Sequence, residues 1–79
     1  MEVNLLMMNV DQEATGKRLG ELRHAAGLSS QCVADCLFIT RNAVYKWENG
    51  TNVPNIDNLV RLKYLYNVEK IDDLIVEGQ

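Results

Sequence analysis

Residues 27–50 read GLSSQCVADCLFITRNAVYKWENG, and the punctuation of this stretch decides the fold. Ser29 is an N-cap residue, and Val33, Ala34 and Leu37 after it form a short apolar stripe that runs out at Phe38 and Ile39. This predicts a first helix of about two turns. Thr40 is a second N-cap. The residues that follow it divide between two faces, Val44 and Trp47 on one and Arg41, Asn42, Tyr45, Lys46 and Asn49 on the other. Gly50 supplies a left-handed C′ residue that ends this second helix, predicted over residues 41–49. Val44 and Trp47 are core residues whatever the protein does, whereas the opposite face is open either to plain solvent or to a partner.

Working outward, Asp11 is an N-cap for a helix in which Ala14, Leu19, Leu22 and Ala26 recur at spacings of three and four, with Gly27 just past its end. Gly16 and Gly20 inside it each cost about 1 kcal/mol relative to Ala, so close approach of another backbone is the expected compensation. Downstream, Thr51, Asn52, Val53 and Pro54 read as a turn. Asn55 then caps a strongly apolar helix carrying Ile56, Leu59, Val60, Leu62, Leu65 and Tyr66, and Asn67 closes it. A last short helix is predicted over residues 71–75. The expectation is an all-α domain of five short helices over residues 11–79, preceded by an apolar N-terminal arm over residues 1–10. The arm, MEVNLLMMNV, places too many apolar side chains together to be left in water. Its residues 3–8 are expected to lie extended, against residues 74–76 or at a contact between two copies.

A length of 79 residues predicts one small domain, without a separate sensor or catalytic domain. A composition 47% hydrophobic and 24% charged sits in the globular range and argues against disorder. The N-terminal ten residues lack a cationic start and a small-residue cleavage site, and no run approaches about 18 apolar residues, so neither a signal peptide nor a membrane span is expected. The cytoplasm is the expected compartment, with Cys32 and Cys36 as reduced thiols. The net charge of −3 argues against a nucleic-acid partner, but its distribution does not. Between Ala14 and Gly50 five basic residues (Lys17, Arg18, Arg23, Arg41, Lys46) face three acidic ones (Glu21, Asp35, Glu48), leaving +2, and the acidic surplus lies at the two ends. Few phosphate contacts are on offer, which predicts a modest salt dependence and a need for two subunits.

The stretch from Gly16 to Leu74 resembles the XRE family of helix-turn-helix domains, the family of Cro and the phage repressors. The match is carried by Leu22-Arg23, by Gly27-Leu28-Ser29, by Val33-Ala34, and by Val44-Tyr45-Lys46-Trp47-Glu48-Asn49-Gly50 with Pro54 four residues on. The resemblance implies a five-helix, lambda-repressor-like domain that regulates transcription, usually as a repressor. It would act as a homodimer on a double-stranded DNA operator, with the helix after Thr40 in the major groove. Arg41, Asn42, Tyr45 and Lys46 would then face base edges and backbone, with Ser30, Gln31, Thr40, Asn49, Thr51 and Asn52 completing the DNA-facing set. The resemblance also implies an ion pair between Arg23 and Glu48. Three positions depart from the family pattern: Ser30 stands where Gln is common, Phe38 where Gly is common, and Thr51 where Lys is frequent. Phe38 in particular implies an altered turn before the recognition helix.

Other classes find less support. Cys32, Cys36 and His24 are three candidate ligands where a zinc site needs four, so no metal or cofactor is expected. Cys32 near a helix N-terminus is a thin basis for a redox switch. No nucleophile set, carboxylate pair or phosphate loop suggests an enzyme. The competing reading is a helix-turn-helix scaffold used as a protein-binding adaptor or antitoxin-like module, which the net acidity and Thr51 favour.

Overall fold

The computed structural model describes residues 9–78, so the expectation for residues 3–8 lies outside the described residues. Four α-helices follow one another: α1 (Gln12–Ala25), α2 (Ser30–Leu37), α3 (Arg41–Glu48) and α4 (Ile56–Leu65), then a 3-10 turn at Ile71–Asp73. Each α-helix starts at a side chain that accepts from the backbone N–H three residues on: Asp11 from Ala14, Ser29 from Cys32, Thr40 from Ala43 and Asn55 from Asn58. Such a cap satisfies one of four otherwise orphaned donors and is worth about 1 kcal/mol relative to Ala.

The helices also end alike. A left-handed residue follows each, Gly27 (φ 74), Phe38 (φ 58), Gly50 (φ 84) and Asn67 (φ 57). Its N–H bonds to the carbonyl three residues back and the next N–H to the carbonyl five back, as in Gly50 to Trp47 at 3.2 Å and Thr51 to Lys46 at 2.9 Å. Phe38 therefore does not alter the turn before α3. It is forced into the conformation a glycine takes freely, φ 58 and ψ 43, and Ile39 N–H still closes onto Ala34 at 3.0 Å.

One core gathers Leu19 from α1, Val33, Ala34 and Leu37 from α2, Val44 and Trp47 from α3, and Leu59, Leu62, Tyr66 and Leu74 from the C-terminal third. The periodicity of α1 misleads about its inner face. Ala26 is exposed, and Thr15, Gly16 and Leu19 are the buried positions. The inner face is small because α3 comes so close: a Cβ at Gly16 would overlap the carbonyl oxygens of both Trp47 and Glu48, the latter at 2.6 Å.

The fifth helix expected over residues 71–75 is only the 3-10 turn at Ile71–Asp73. The reason lies in the partners of Val76, whose N–H bonds to Thr15 Oγ1 at 2.9 Å and whose carbonyl accepts from Asp11 at 2.8 Å. With both backbone groups engaged by α1 and its cap, the segment runs extended. Val10 and Glu77 form an isolated antiparallel bridge, and Gly78 N–H bonds to Asn9 O at 2.7 Å. No helix among the described residues is long and apolar enough to cross a membrane.

Candidate nucleic-acid interface

The α2–turn–α3 unit places the polar face of α3 outward because Val44 and Trp47 take the inner one. Arg41 and Asn42, immediately after the Thr40 cap, are exposed, as are Tyr45 and Lys46 one turn on. Thr40 Oγ1 is occupied as the cap of Ala43, at 3.1 Å. Ser29, Ser30 and Gln31 at the start of α2 join Arg41, Asn42 and Tyr45 in lining one open cleft. Two helix starts are thus brought to one surface, with their positive dipole ends and free N–H groups near it, a setting that favours anions such as phosphate. Among the described residues, no side-chain hydrogen bond or ion pair engages Arg41, Asn42 or Lys46, so their hydrogen-bonding groups are available to a ligand.

The remaining expected contacts are placed differently. Gln31 is exposed, and its amide donates to Asp35 at 2.9 Å, which leaves its carbonyl oxygen open. Asn49 and Thr51 serve the exit of α3. Asn49 Oδ1 accepts from Thr51 N–H at 2.9 Å and from the Thr51 hydroxyl at 2.6 Å. Asn52 N–H bonds to Lys46 O at 3.2 Å in the same turn. These groups stabilise the end of the helix, and Asn49, Thr51 and Asn52 are not among the residues lining the cleft. Ser29 is a lining residue that the sequence reading used only as a cap. Its position one residue before Ser30 was the available signal.

Behind this face α3 is fixed to α1. Arg23 donates from Nε to Glu48 Oε2 at 2.7 Å and from Nη2 to Oε1 at 3.0 Å, and its Nη1 reaches Leu28 O at 3.0 Å. The two side chains are only 12% and 17% exposed. The hydrogen bond to Glu48 raises the Arg23 pKa further, against the opposing effect of burial. Tyr66 lies beside this pair, and burial, then the Glu48 charge, pushes its phenol far above the ordinary tyrosine value. The fork-to-carboxylate geometry restricts rotation as well as distance, so it sets the angle at which α3 is presented.

Cys32 and Cys36 are free thiols. Partial desolvation at the surface it lines, then the neighbouring Cys32, holds the Cys36 thiol above its ordinary value, the reverse of the acidified thiol that a redox switch needs. His24 Nδ1 pairs with Gly20 O at 2.8 Å within its own helix.

A capped two-turn helix, a three-residue turn and a second helix with an open polar face define a helix-turn-helix domain. No family model matches the chain. Over 59 residues it is 32% identical to the HTH-type transcriptional activator BcrR of Enterococcus faecalis, covering 75% of this chain but only 28% of that protein. It is also similar to the restriction-modification controller protein C.AhdI from Aeromonas hydrophila, in a crystal structure. That likeness has a TM-score of 0.72 at 31% identity and covers 81% of this chain and 96% of C.AhdI. The chain belongs to the XRE-like helix-turn-helix family. Of these two, BcrR is named as a transcriptional activator and C.AhdI as a restriction-modification controller.

Proposed function

We propose that this chain is a cytoplasmic, sequence-specific regulator of transcription that binds double-stranded DNA as a homodimer, with α3 in the major groove. The observation that carries this reading is the exposed, unpartnered set Arg41, Asn42 and Tyr45 sharing one cleft with the start of α2. Arg can bond bidentately to guanine O6 and N7, and Asn to adenine N6 and N7. Tyr45 adds apolar contact with a thymine methyl or the sugar backbone. Lys46 and the two helix starts meet phosphates and set the register. One module this small buries little protein surface on DNA, so two copies on two half-sites supply the contacts a specific site needs.

A bound dimer that covers promoter DNA blocks transcription, which makes repression the expected output. BcrR is named for activation, and a promoter–reporter fusion reads the sign directly. The decisive experiment selects bound duplexes from a random library, then titrates wild type, Arg41→Ala and Lys46→Ala against the selected operator and a scrambled duplex at several salt concentrations. Arg41→Ala is expected to lose about 1–3 kcal/mol on the operator and to relax preference at one base pair per half-site. Lys46→Ala is expected to weaken both duplexes alike and to lower the salt slope by about 1 per subunit. Equal, weak binding of both duplexes by wild type would hand the protein to the adaptor reading instead.

A further inference from the structure

The start of α2 brings to the cleft an amide with only one end free. Gln31 is exposed and lines the cleft together with Arg41, Asn42 and Tyr45. Its Nε2 donates to Oδ1 of Asp35, one helical turn on, at 2.9 Å. An amide can ordinarily offer a ligand either its oxygen or its NH2 group. Asp35 removes that freedom, because a carboxylate accepts and never donates. Turned over, the Gln31 oxygen would face the carboxylate oxygens, acceptor against acceptor, with the donor bond lost. The NH2 group therefore stays on Asp35, and Oε1 is the end left for a ligand.

Arg41 and the N–H groups of the two helix starts offer donors alone. Two of the hydroxyl oxygens nearby are already used, since Ser29 Oγ and Thr40 Oγ1 accept from Cys32 and Ala43 N–H as caps, at 3.0 and 3.1 Å. An extra acceptor in the cleft therefore has a use of its own. Phosphate oxygens accept and give it nothing. In the major groove guanine shows N7 and O6 and thymine shows O4, all acceptors, whereas the donors are the exocyclic amines, N4 of cytosine and N6 of adenine. We propose that Gln31 reads one such amine through Oε1, with Asp35 as the positioning residue that fixes its polarity. The proposal rests on the DNA reading above and adds a base preference that Arg41 cannot supply. One acceptor serves either amine, so the preference is for cytosine or adenine over guanine or thymine on the strand that Gln31 faces.

Selection from the random library with wild type and with Gln31→Ala finds the base pair whose preference the substitution alters. That pair is then varied through all four bases in an otherwise fixed operator. The full chain is titrated against the four duplexes as wild type, Gln31→Ala, Gln31→Glu, Asp35→Ala and Asp35→Glu. Both altered side chains are exposed, so helical circular dichroism should match throughout. The readout is the ratio between duplexes, because removing the Asp35 charge strengthens binding to all of them alike. Wild type is expected to favour cytosine or adenine about fivefold per half-site, the discrimination one ordinary hydrogen bond supplies. Gln31→Ala should lose the preference. Asp35→Ala should lose most of it, since the freed amide presents either end, whereas Asp35→Glu supplies another carboxylate and should keep it. Gln31→Glu should also keep it while weakening all four complexes, because a carboxylate is an acceptor whichever way it turns. Three results overturn the proposal: a guanine or thymine preference at the altered pair, an Asp35→Ala chain with the wild-type ratio, or a Gln31→Glu chain without the preference. A wild type that selects no motif overturns the DNA reading itself. A selected motif that Gln31→Ala leaves unchanged overturns this inference alone.

Discussion

Replacing Phe38 with glycine should stabilise the protein, although it deletes the largest side chain in the turn. Phe38 sits at φ 58 and ψ 43, where an L residue with a Cβ is strained by roughly 1–2 kcal/mol. It is 95% exposed, so the ring contributes almost nothing by burial, about 0.3 kcal/mol on the usual scale of 25 cal/mol per Å². Glycine relieves the strain but enlarges the entropy of the unfolded chain by about 0.5–1 kcal/mol. The balance is a gain of about 0.5 kcal/mol, or a rise in Tm of about 2–4 °C for a domain of this size. Phe38→Ala is the partner measurement, because alanine also lacks the ring yet keeps the Cβ that causes the strain. It should fall within a few tenths of a kcal/mol of wild type. Thermal and urea unfolding of the three proteins give the comparison. A glycine variant no more stable than the alanine variant would mean that residue 38 is not held left-handed, and the account of how α2 ends would fail.

The two glycines of α1 should respond oppositely to alanine. Gly16→Ala drives a Cβ into the Trp47 and Glu48 carbonyls and should cost about 2 kcal/mol or more by urea unfolding, with weakened DNA binding because α3 is displaced. Gly20→Ala, whose Cβ would lie 3.5 Å from Glu48 Oε1, meets ordinary contact and should gain up to about 1 kcal/mol from helix propensity. Glu48→Ala strips two of the three Arg23 hydrogen bonds in a mostly buried setting and should destabilise by about 3 kcal/mol, again read by urea unfolding. Tyr66 keeps its proton in the folded state at pH values where the unfolded chain has lost it. Stability should therefore fall as pH rises above about 10, by up to about 1.4 kcal/mol per pH unit, and Tyr66→Phe should remove that part of the slope.

The helix boundaries were legible because each rests on local chemistry. Asp11, Ser29, Thr40 and Asn55 are short oxygen-bearing side chains at the places where the backbone needs an acceptor, and Gly27, Gly50 and Asn67 tolerate the left-handed closure. Phe38 does the same work without any of the chemical signs, since nothing in an isolated Phe announces a positive φ. The inner face of α1 was hidden for a related reason. Apolar spacing finds positions that need a hydrocarbon neighbour, whereas Gly16 and Thr15 are buried by a backbone contact and by a hydroxyl that reaches Val76. The C-terminal segment failed as a helix because its partners come from the other end of the chain, sixty-one residues away in sequence.

Legibility of the candidate interface follows the same division. Arg41, Asn42, Tyr45 and Lys46 could be picked out because a helix with Val44 and Trp47 inside has only one place for its polar side chains. Asn49 and Thr51 looked equivalent to them in sequence, and the structure adds bonds between the two at the exit of α3. What no pattern in the α3 sequence conveys is the constraint behind that helix: the Gly16 contact fixes how near α3 lies to α1, and the Arg23 fork fixes how it is turned. A helix that reads DNA must hold its first turn within about 0.5 Å of the geometry its base contacts need, and a close-packed contact such as that of Gly16 with the Trp47 and Glu48 carbonyls restricts how far α3 can shift. Under the proposed DNA-binding function, the small residues of α1 would serve recognition as much as Arg41 would, although none of them is placed to touch the operator.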